Sequence, residues 1–294
     1  MLAKIQTELA IHYIKRFFYD WEFEIHYIQT SGDKITDRPL YDIGGKALFT
    51  KELDSAIINN EIDIAIHSAK DIEANYNKNS LIFPCVLPRE DKRDVFISKN
   101  YLNELSDFQN LSQNSVIGTS SLRREYQLHF TKNDLRFTPI RGNINTRINK
   151  LINGELGVDG IVLAMAGLKR ANLFHKNMQI LDSDIILPAV CQGIIAIQCH
   201  AKNTSLINLL SQISHQETMT QFLVERHFVE TINGSCTTAI GTNIEIIDDK
   251  IHGQFIIYRN KEHFLKISDI GNINQYIEFA EKNGNILLDF LHSS

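Results

Sequence analysis

The chain has 294 residues, of which 43% are hydrophobic and 22% charged, and its formal net charge is −5 at pH 7. This balance is typical of a globular protein, and the length predicts two or three domains. A negative net charge argues against a general nucleic-acid or membrane-surface protein, because both present a basic face. No stretch approaches the ~18 apolar residues of a membrane span. The charged N-terminus lacks the pattern of a signal peptide.

The cysteines are few and scattered: Cys85, Cys191, Cys199 and Cys236. None forms a CxxC pair, and no histidine stands at zinc-like spacing from them, so no metal site is predicted. The pattern favours reduced thiols in a cytoplasmic protein.

The N-terminal part of the chain predicts a mixed α/β domain. An amphipathic helix is predicted over residues 1–21, followed by an alternating strand over 22–29. Residues 30–46 form a long polar loop marked by glycine and proline. Helical periodicity over 46–60 precedes an apolar strand over 61–67.

The middle of the chain repeats a strand–loop–helix unit. Predicted strands cover residues 115–117, 135–140 and 159–164, and each is followed by a helical segment. Such units predict parallel strands with right-handed crossovers. A connector over 182–193 then leads into one more strand over 194–199.

The last third predicts a separate α+β domain, from about residue 214 to 294. A helix over 218–232 precedes three strands over 242–270, which are joined by tight turns, one of them at Asp248–Asp249. A helix over 274–291 closes the chain.

Cations follow several of the predicted strands. Ligands of open α/β sheets bind beyond the carboxyl ends of the strands, so these side chains predict a ligand with several anionic groups, phosphates or carboxylates. The turn that holds Ser120 and Ser121 also offers backbone N–H groups at a helix N-terminus. No P-loop or GxGxxG pattern supports a nucleotide. The cations are Lys70, Arg123, Arg124, Arg141, Arg147, Lys169 and Arg170.

Several motifs together resemble those of the hydroxymethylbilane synthase (porphobilinogen deaminase) family, in the same order and over nearly the whole chain. They are IGGKALFTKEL (43–53), HSAKD (67–71), REDKRDVFIS (89–98), GTSSLRR (118–124), RGNINTR (141–147), AGLKR (166–170), PAVCQG (188–193) and ETINGSCTTAIG (230–241).

The resemblance implies an α/β fold of three domains. Two of them resemble type II periplasmic binding proteins around a cleft, and the third is an α+β domain with an antiparallel sheet. By this similarity, residues 1–91 and 192–213 form the first domain, 92–191 the second, and 214–294 the domain that carries the cofactor.

The resemblance also implies an activity. A dipyrromethane cofactor is attached to Cys236 through a thioether, four porphobilinogens are added head to tail with loss of ammonia, and water releases hydroxymethylbilane. The matching catalytic residue is Asp71. Cofactor-binding positions are Lys70, Ser120, Ser121, Arg123, Arg124 and Arg147. Substrate-binding positions are Arg141, Arg147 and Arg170, and Gly44, Gly45 and Lys46 match a lid over the cleft. The implied enzyme is a cytoplasmic monomer whose partner is its small-molecule substrate, not nucleic acid or a membrane.

This sequence departs from the family pattern in places. Family members open with a strand and an Arg and Ser before the helix that starts here at LAKIQ (2–6). We therefore expect the true start to lie upstream, and activity without that strand to be in doubt. The cofactor loop reads NGSC where GGC is usual. Cys191 and Ala47 each stand where Gly is common in the family, and Gln198 stands where Glu is common.

Three alternatives remain open on the residues. The first is a non-catalytic two-lobed binding protein for a polyanion, which would need neither Cys236 nor Asp71 and would be exported. The second is an inactive member of the same family. The third is a nucleic-acid-binding module that uses the arginines, although interleaved aromatic residues and a basic net charge are lacking.

Overall fold

A computed structural model describes residues 2–30, 50–234 and 238–293. In chain order its strands are β1 (Ile64–Ser68), β2 (Leu81–Val86), β3 (Asp94–Ser98), β4 (Val116–Gly118), β5 (Arg136–Thr138), β6 (Gly160–Ala164), β7 (Gln179–Leu181), β8 (Ile195–His200), β9 (Ala239–Ile247), β10 (Lys250–Tyr258) and β11 (Phe264–Asn272). Its helices are α1 (Leu2–Lys15), α2 (Lys51–Ile58), α3 (Leu122–Thr131), α4 (Ile144–Ile152), α5 (Met165–Arg170), α6 (Thr204–Ile213), α7 (Gln216–Thr231) and α8 (Tyr276–His292). No helix in these ranges is long and apolar enough to cross a bilayer.

The first sheet has the strand order β1-β8-β2, with both pairs antiparallel. Helix α1 packs on it through Ala10 and Ile14, which join Ile197 and Leu210 in one buried cluster. Strand β2 was not predicted, since Pro84 interrupts its pattern. The structure accommodates that proline by a register shift between Ile82 and Cys85.

The strand predicted over residues 22–29 is wrong, because this segment has no regular secondary structure. Trp21 and Phe23 do pack against the buried cluster between α1 and the first sheet, so the alternating pattern reflects which side chains are covered. A strand also requires a neighbouring backbone to pair with. None of the described residues supplies one to this segment.

The second sheet has the strand order β5-β4-β6-β3-β7. Strand β4 pairs in parallel with both β5 and β6, which confirms the parallel arrangement predicted for the three strand–loop–helix units. Strands β3 and β7, which were not predicted, extend the sheet with antiparallel pairing of β3 to β6 and to β7. Phe96, Ile117 and Val162 lie in its core.

The third sheet is an antiparallel meander, β9-β10-β11, covered by α7 and α8. Phe228 of α7 and Phe255 of β10 meet at its centre with ring centroids 4.6 Å apart. Asp248 (φ 50°) and Asp249 (φ 57°) form the predicted turn, in the left-handed conformation that a two-residue hairpin loop favours. The α/β fold with a C-terminal antiparallel sheet is therefore confirmed.

Two chain segments connect the first and second sheets and are hydrogen-bonded to each other. The Glu90 N–H donates to the Gly193 carbonyl at 3.1 Å, and Arg89 Nε donates to the Gln192 carbonyl at 2.9 Å. Arg89 also forms an ion pair with the buried Glu225 of α7 at 2.7 Å. Cys191 has φ 58°, a conformation that favours glycine, and its N–H donates to Glu225. These two connecting segments, residues 87–93 and 182–194, are named the hinge here, and they are thus tied to α7.

Candidate functional site: a cationic cleft

Lys70 and Asp71 lie at the carboxyl end of β1, where a single 3₁₀ turn spans Ala69–Asp71. The buried Ala69 anchors this turn, and its N–H donates to the Ile194 carbonyl at 3.0 Å. The next two side chains therefore project from the end of the sheet and remain exposed to solvent. This is the edge at which α/β sheets place their ligands.

The segment after β4 of the second sheet contributes Arg123 and Arg124 from the first turn of α3. Ser121 is the N-cap of this helix and accepts from the Arg124 N–H. Both arginine side chains are buried, and both bind Asp94 at the start of β3, each with a shortest N–O distance of 2.7 Å. Gln192 of the hinge donates to the same carboxylate at 3.1 Å. The two arginines are thus held in fixed positions by a group within the protein.

Arg141 lies at the start of the turn before α4, and Arg147 lies in the first turn of that helix. Gly142 has φ +111°, and a Cβ there would come within 2.6 Å of Thr146, so the turn requires glycine. Asn143 caps α4 by accepting from the Thr146 N–H at 2.9 Å. Arg147 Nε donates back to the Gly142 carbonyl at 2.7 Å. Its terminal guanidinium nitrogens make no hydrogen bond to a described residue.

Electrostatic coupling joins these groups across the cleft. Burial raises the pKa of Asp71, while Lys70 and Arg147 act to lower it. Burial also lowers the pKa of Lys70, and the positive charges of Arg124 and Arg123 act in the same direction, while Asp71 and Asp94 act to raise it. The pKa of Arg147 falls to about 10 because of burial and then the nearby Arg124 and Arg141. Although Lys70 and Asp71 reach solvent, protein atoms crowd them closely enough to shift both pKa values.

The cleft cluster is defined here as Lys70, Asp71, Asp94, Arg123, Arg124, Arg141 and Arg147. Five cations face two carboxylates, so the cluster carries three net positive charges. Nε of Arg123 and Nε of Arg141 are buried without a hydrogen-bond partner among the described residues. Such a site suits a ligand with several carboxylates or phosphates.

Some predicted site residues lie elsewhere or are engaged otherwise. Arg170 is at the hinge, where Nη2 donates to the Gly193 carbonyl at 2.6 Å, and its neighbour Lys169 pairs with Glu90 at 2.8 Å. Ser120 Oγ donates to the Ile140 carbonyl at 2.9 Å. Arg170 therefore lies outside the cleft cluster, whereas Arg147 belongs to it.

The predicted cofactor cysteine and the lid lie outside the described residues. These positions are Cys236 and Gly44, Gly45 and Lys46. The chain that leads to Cys236 is described as far as Gly234, and Asn233 accepts a hydrogen bond at 2.7 Å from Asn75, which lies between β1 and β2. Lys78 and Glu230 form a second link at 2.6 Å. The C-terminal end of α7 is thus attached to the segment between β1 and β2.

Sequence reasoning missed two buried polar partners of the site. Asp94, fully buried, follows a run of charged residues that could have indicated an internal ion pair. His67, just before the Ala69–Asp71 turn, shares a hydrogen bond of 2.9 Å with Gln198 of β8. Burial lowers the pKa of His67 to about 4, so its ring is neutral at pH 7.

The fold and the cleft define an α/β protein with a cationic site between two sheets. Residues 1–208 match the family model described as "Porphobilinogen deaminase, dipyromethane cofactor binding domain". The porphobilinogen deaminase of Rickettsia typhi is 40% identical over 292 residues, which cover 98% of this chain and 95% of that protein. The one from Ehrlichia canis is 40% identical over 263 residues, covering 89% of this chain and 86% of that protein. The chain belongs to the porphobilinogen deaminase family.

Solved structures of other proteins are similar only at a coarse level. The second substrate binding domain of a putative amino acid ABC transporter from Streptococcus pneumoniae is 14% identical, with a TM-score of 0.43, over 74% of this chain and 89% of that one. The periplasmic VFT2 domain of Bordetella pertussis BvgS is 16% identical, with a TM-score of 0.41, over 74% of this chain and 82% of that one.

Proposed function

We propose that this chain is a hydroxymethylbilane synthase of tetrapyrrole biosynthesis that uses the cleft cluster to bind and process porphobilinogen. Membership of the porphobilinogen deaminase family carries the proposal. In this reaction four porphobilinogens condense head to tail, each with loss of ammonia, on a dipyrromethane cofactor, and hydrolysis releases the linear product.

The donor set of the cleft fits this cofactor. Porphobilinogen carries two carboxylates, so a dipyrromethane made from it is a polyanion that requires cations. Lys70, Arg123, Arg124 and Arg147, with Ser120 and Ser121, would hold it, and Cys236 would form the thioether. The net positive charge of the cluster and the unpartnered Nε of Arg123 support this assignment. When bound, the cofactor supplies the pyrrole carbon to which the first substrate is joined.

Asp71 is assigned as the catalytic group. Loss of ammonia from a porphobilinogen requires a proton at the departing nitrogen and leaves a positive charge on the substrate pyrrole. A carboxyl group with a raised pKa suits proton transfer, and its ionised form stabilises the cation. Arg141 and Arg147 are positioned to neutralise substrate carboxylates, and Arg170 is assigned the same role from the hinge.

Further assignments rest on the same family resemblance. We propose domains of residues 1–91 with 192–213, 92–191, and 214–294, and the strands of each described sheet fall within one of these sets. Residues 44–46 are assigned to a lid. A cytoplasmic location and a monomeric state complete the proposal.

Intact mass spectrometry tests the proposal on the purified chain, with Cys236→Ser and Cys199→Ser as a matched pair. Cys199 is fully buried in β8, so its variant controls for loss of a thiol. We expect a mass excess of one dipyrromethane on the wild type and on Cys199→Ser, and none on Cys236→Ser. A folded wild type without this excess, and without turnover of porphobilinogen, would overturn the assignment.

A further inference from the structure

Arg226 of α7 is a buried cation that does not belong to the cleft cluster. Only 4% of the residue is exposed. Its ion-pair partner in the same helix is Glu230, whose Oε1 lies 3.8 Å from Nη2, beyond ordinary hydrogen-bond distance. A guanidinium group without a close counter-ion is costly to bury, so other acceptors must satisfy its N–H groups.

The acceptors are three consecutive backbone carbonyls. Nη1 of Arg226 donates to the Ile72 carbonyl at 2.9 Å. Nη2 donates to the carbonyls of Glu73 and Ala74, the latter at 3.1 Å. No backbone N–H of the described residues donates to the Ile72 or the Ala74 carbonyl. The ring of Tyr76 lies over the guanidinium, with its centroid 5.6 Å from Cζ. One side chain therefore caps this segment of irregular backbone.

The capped segment continues directly from the turn that ends at Asp71. The Ile72 N–H donates back to the Ala69 carbonyl at 3.3 Å and closes this turn. The Ala69 N–H in its turn donates to the Ile194 carbonyl. The turn is thus held on one side by the backbone of the hinge and on the other side, just after Asp71, by Arg226.

Helix α7 binds two parts of the protein through adjacent side chains. Glu225 forms the ion pair with Arg89 of the hinge, and the next residue, Arg226, binds the segment after Asp71. The position of Asp71 relative to the hinge is therefore fixed in part by this helix, which precedes the proposed cofactor residue Cys236 in the chain.

We propose that Arg226 is a positioning residue, which holds Asp71 in the cleft by binding the carbonyls of residues 72–74. The inference rests on the catalytic role that is proposed above for Asp71. Without Arg226 these carbonyls would turn toward water, and the turn would lose one of its two fixed ends. Asp71 would then move outward from the sheet, whereas Arg141 and Arg147, beyond the second sheet, would remain in place to bind the substrate carboxylates.

Steady-state kinetics with porphobilinogen test this role in Arg226→Gln. A displacement of about 1 Å at a catalytic group can cost about 100-fold in rate, so we expect kcat to fall by about 10- to 100-fold. The KM should stay within about twofold, because the substrate-binding arginines are unaffected. The matched control is Arg259→Gln in the third sheet. Arg259 has a buried Nε and stacks on Phe290 at 4.3 Å, and its loss should leave kcat unchanged.

The pH–rate profile separates positioning from a loss of stability. Burial raises the pKa of Asp71, and the charges of Lys70 and Arg147 act to lower it. A turn released toward solvent is less buried, so the pKa of Asp71 should fall in Arg226→Gln. The acid limb of kcat should therefore move to lower pH, opposite to the effect of removing the charge of Arg147. A variant that was only less stable would lose activity without moving this limb.

Arg226→Lys provides a second variant, because it keeps the buried charge if Arg226→Gln does not fold. Lysine lacks the planar fork that reaches several carbonyls at once, so we expect a smaller loss of kcat and a limb shift in the same direction. Hydrogen–deuterium exchange of the full-length protein gives a readout apart from activity. Amides of residues 69–75 should exchange about tenfold faster in both Arg226 variants, and at the wild-type rate in Arg259→Gln.

Wild-type kcat and an unmoved acid limb in the Arg226 variants would overturn the proposal. An equal loss of kcat in Arg259→Gln would overturn it too, since the loss would then follow from removing any buried guanidinium. Unchanged exchange of residues 69–75 would show that Arg226 does not hold the turn. The proposed function fails separately, through absence of porphobilinogen turnover in the wild type.

Discussion

Arg124 donates two hydrogen bonds to one carboxylate oxygen of Asp94, from Nε at 3.2 Å and from Nη2 at 2.7 Å. Arg123 binds the other oxygen of the same carboxylate at 2.7 Å. The two arginines hold the pKa of Asp94 well below its ordinary range, despite the opposing effect of burial. One buried carboxylate thus fixes two adjacent cations of the cleft, while the surplus positive charge remains available to a ligand.

Replacement of Asp94 by Asn should destabilise the protein by about 3–5 kcal/mol, because two buried guanidinium groups lose their counter-ion. The measurement is the free energy of unfolding from urea titration. Glu8→Gln is the control, because the ion pair of Glu8 with Lys4, at 3.9 Å, is exposed, and this substitution should cost under about 1 kcal/mol. Similar values for the two variants would show that Asp94 does not hold the arginines.

His67 should make stability depend on pH between about 4 and 6.5. Its folded pKa of about 4 lies below the ordinary value of 6.5, so the unfolded chain binds more protons in this range. Stability is therefore complete above pH 6.5 and is lost as the pH falls toward 4, by roughly 3 kcal/mol. His67→Asn should lack this contribution to the slope, whereas His292→Asn, at an exposed C-terminal position, should retain it. If the free energy of unfolding falls equally steeply with pH in the wild type and in His67→Asn, the prediction is contradicted.

The thiols of the described residues should resist alkylation in the native protein. Cys85, Cys191 and Cys199 are buried. Burial raises the pKa of Cys85 to about 12 and that of Cys199 to about 11. It raises the pKa of Cys191 as well. Little thiolate therefore exists at pH 8. Peptide mapping after iodoacetamide should find these three modified only after denaturation, and rapid native labelling of Cys85 would be inconsistent with this packing.

Arg147→Gln should move the acid limb of the pH–rate profile to higher pH. The positive charge of Arg147 acts to lower the pKa of Asp71, so its removal raises the pKa of that carboxyl further. The measurement is kcat against pH with porphobilinogen. Arg170→Gln serves as the comparison, because the charged group that affects the pKa of Arg170 is Glu90. This variant should leave the acid limb of the pH–rate profile at the same pH. If the acid limb of Arg147→Gln lies at the same pH as that of the wild type, Arg147 does not influence the titration of Asp71.

The sequence by itself determined the family, the α/β class and the location of the cations. Residues that follow neighbouring strands of a parallel sheet must lie at the same edge of that sheet, so Arg123 and Arg141 could be placed together without coordinates. Lys70 could be placed at the end of a predicted strand, although its sheet is antiparallel in the structure. The antiparallel meander was likewise predictable, because alternation and the Asp248–Asp249 turn are local signals.

Only the tertiary structure decided which cations bind a buried carboxylate and which segments pair as strands. Asp94 and Arg124 are 30 residues apart in sequence, and only the packing of β3 against α3 shows that they form a buried pair. Residues 22–29 have a strand-like pattern but no strand, because pairing depends on a partner backbone at a distance that no local pattern specifies. Local sequence sets periodicity and turns, whereas the satisfaction of backbone groups and buried charges is a property of the whole fold.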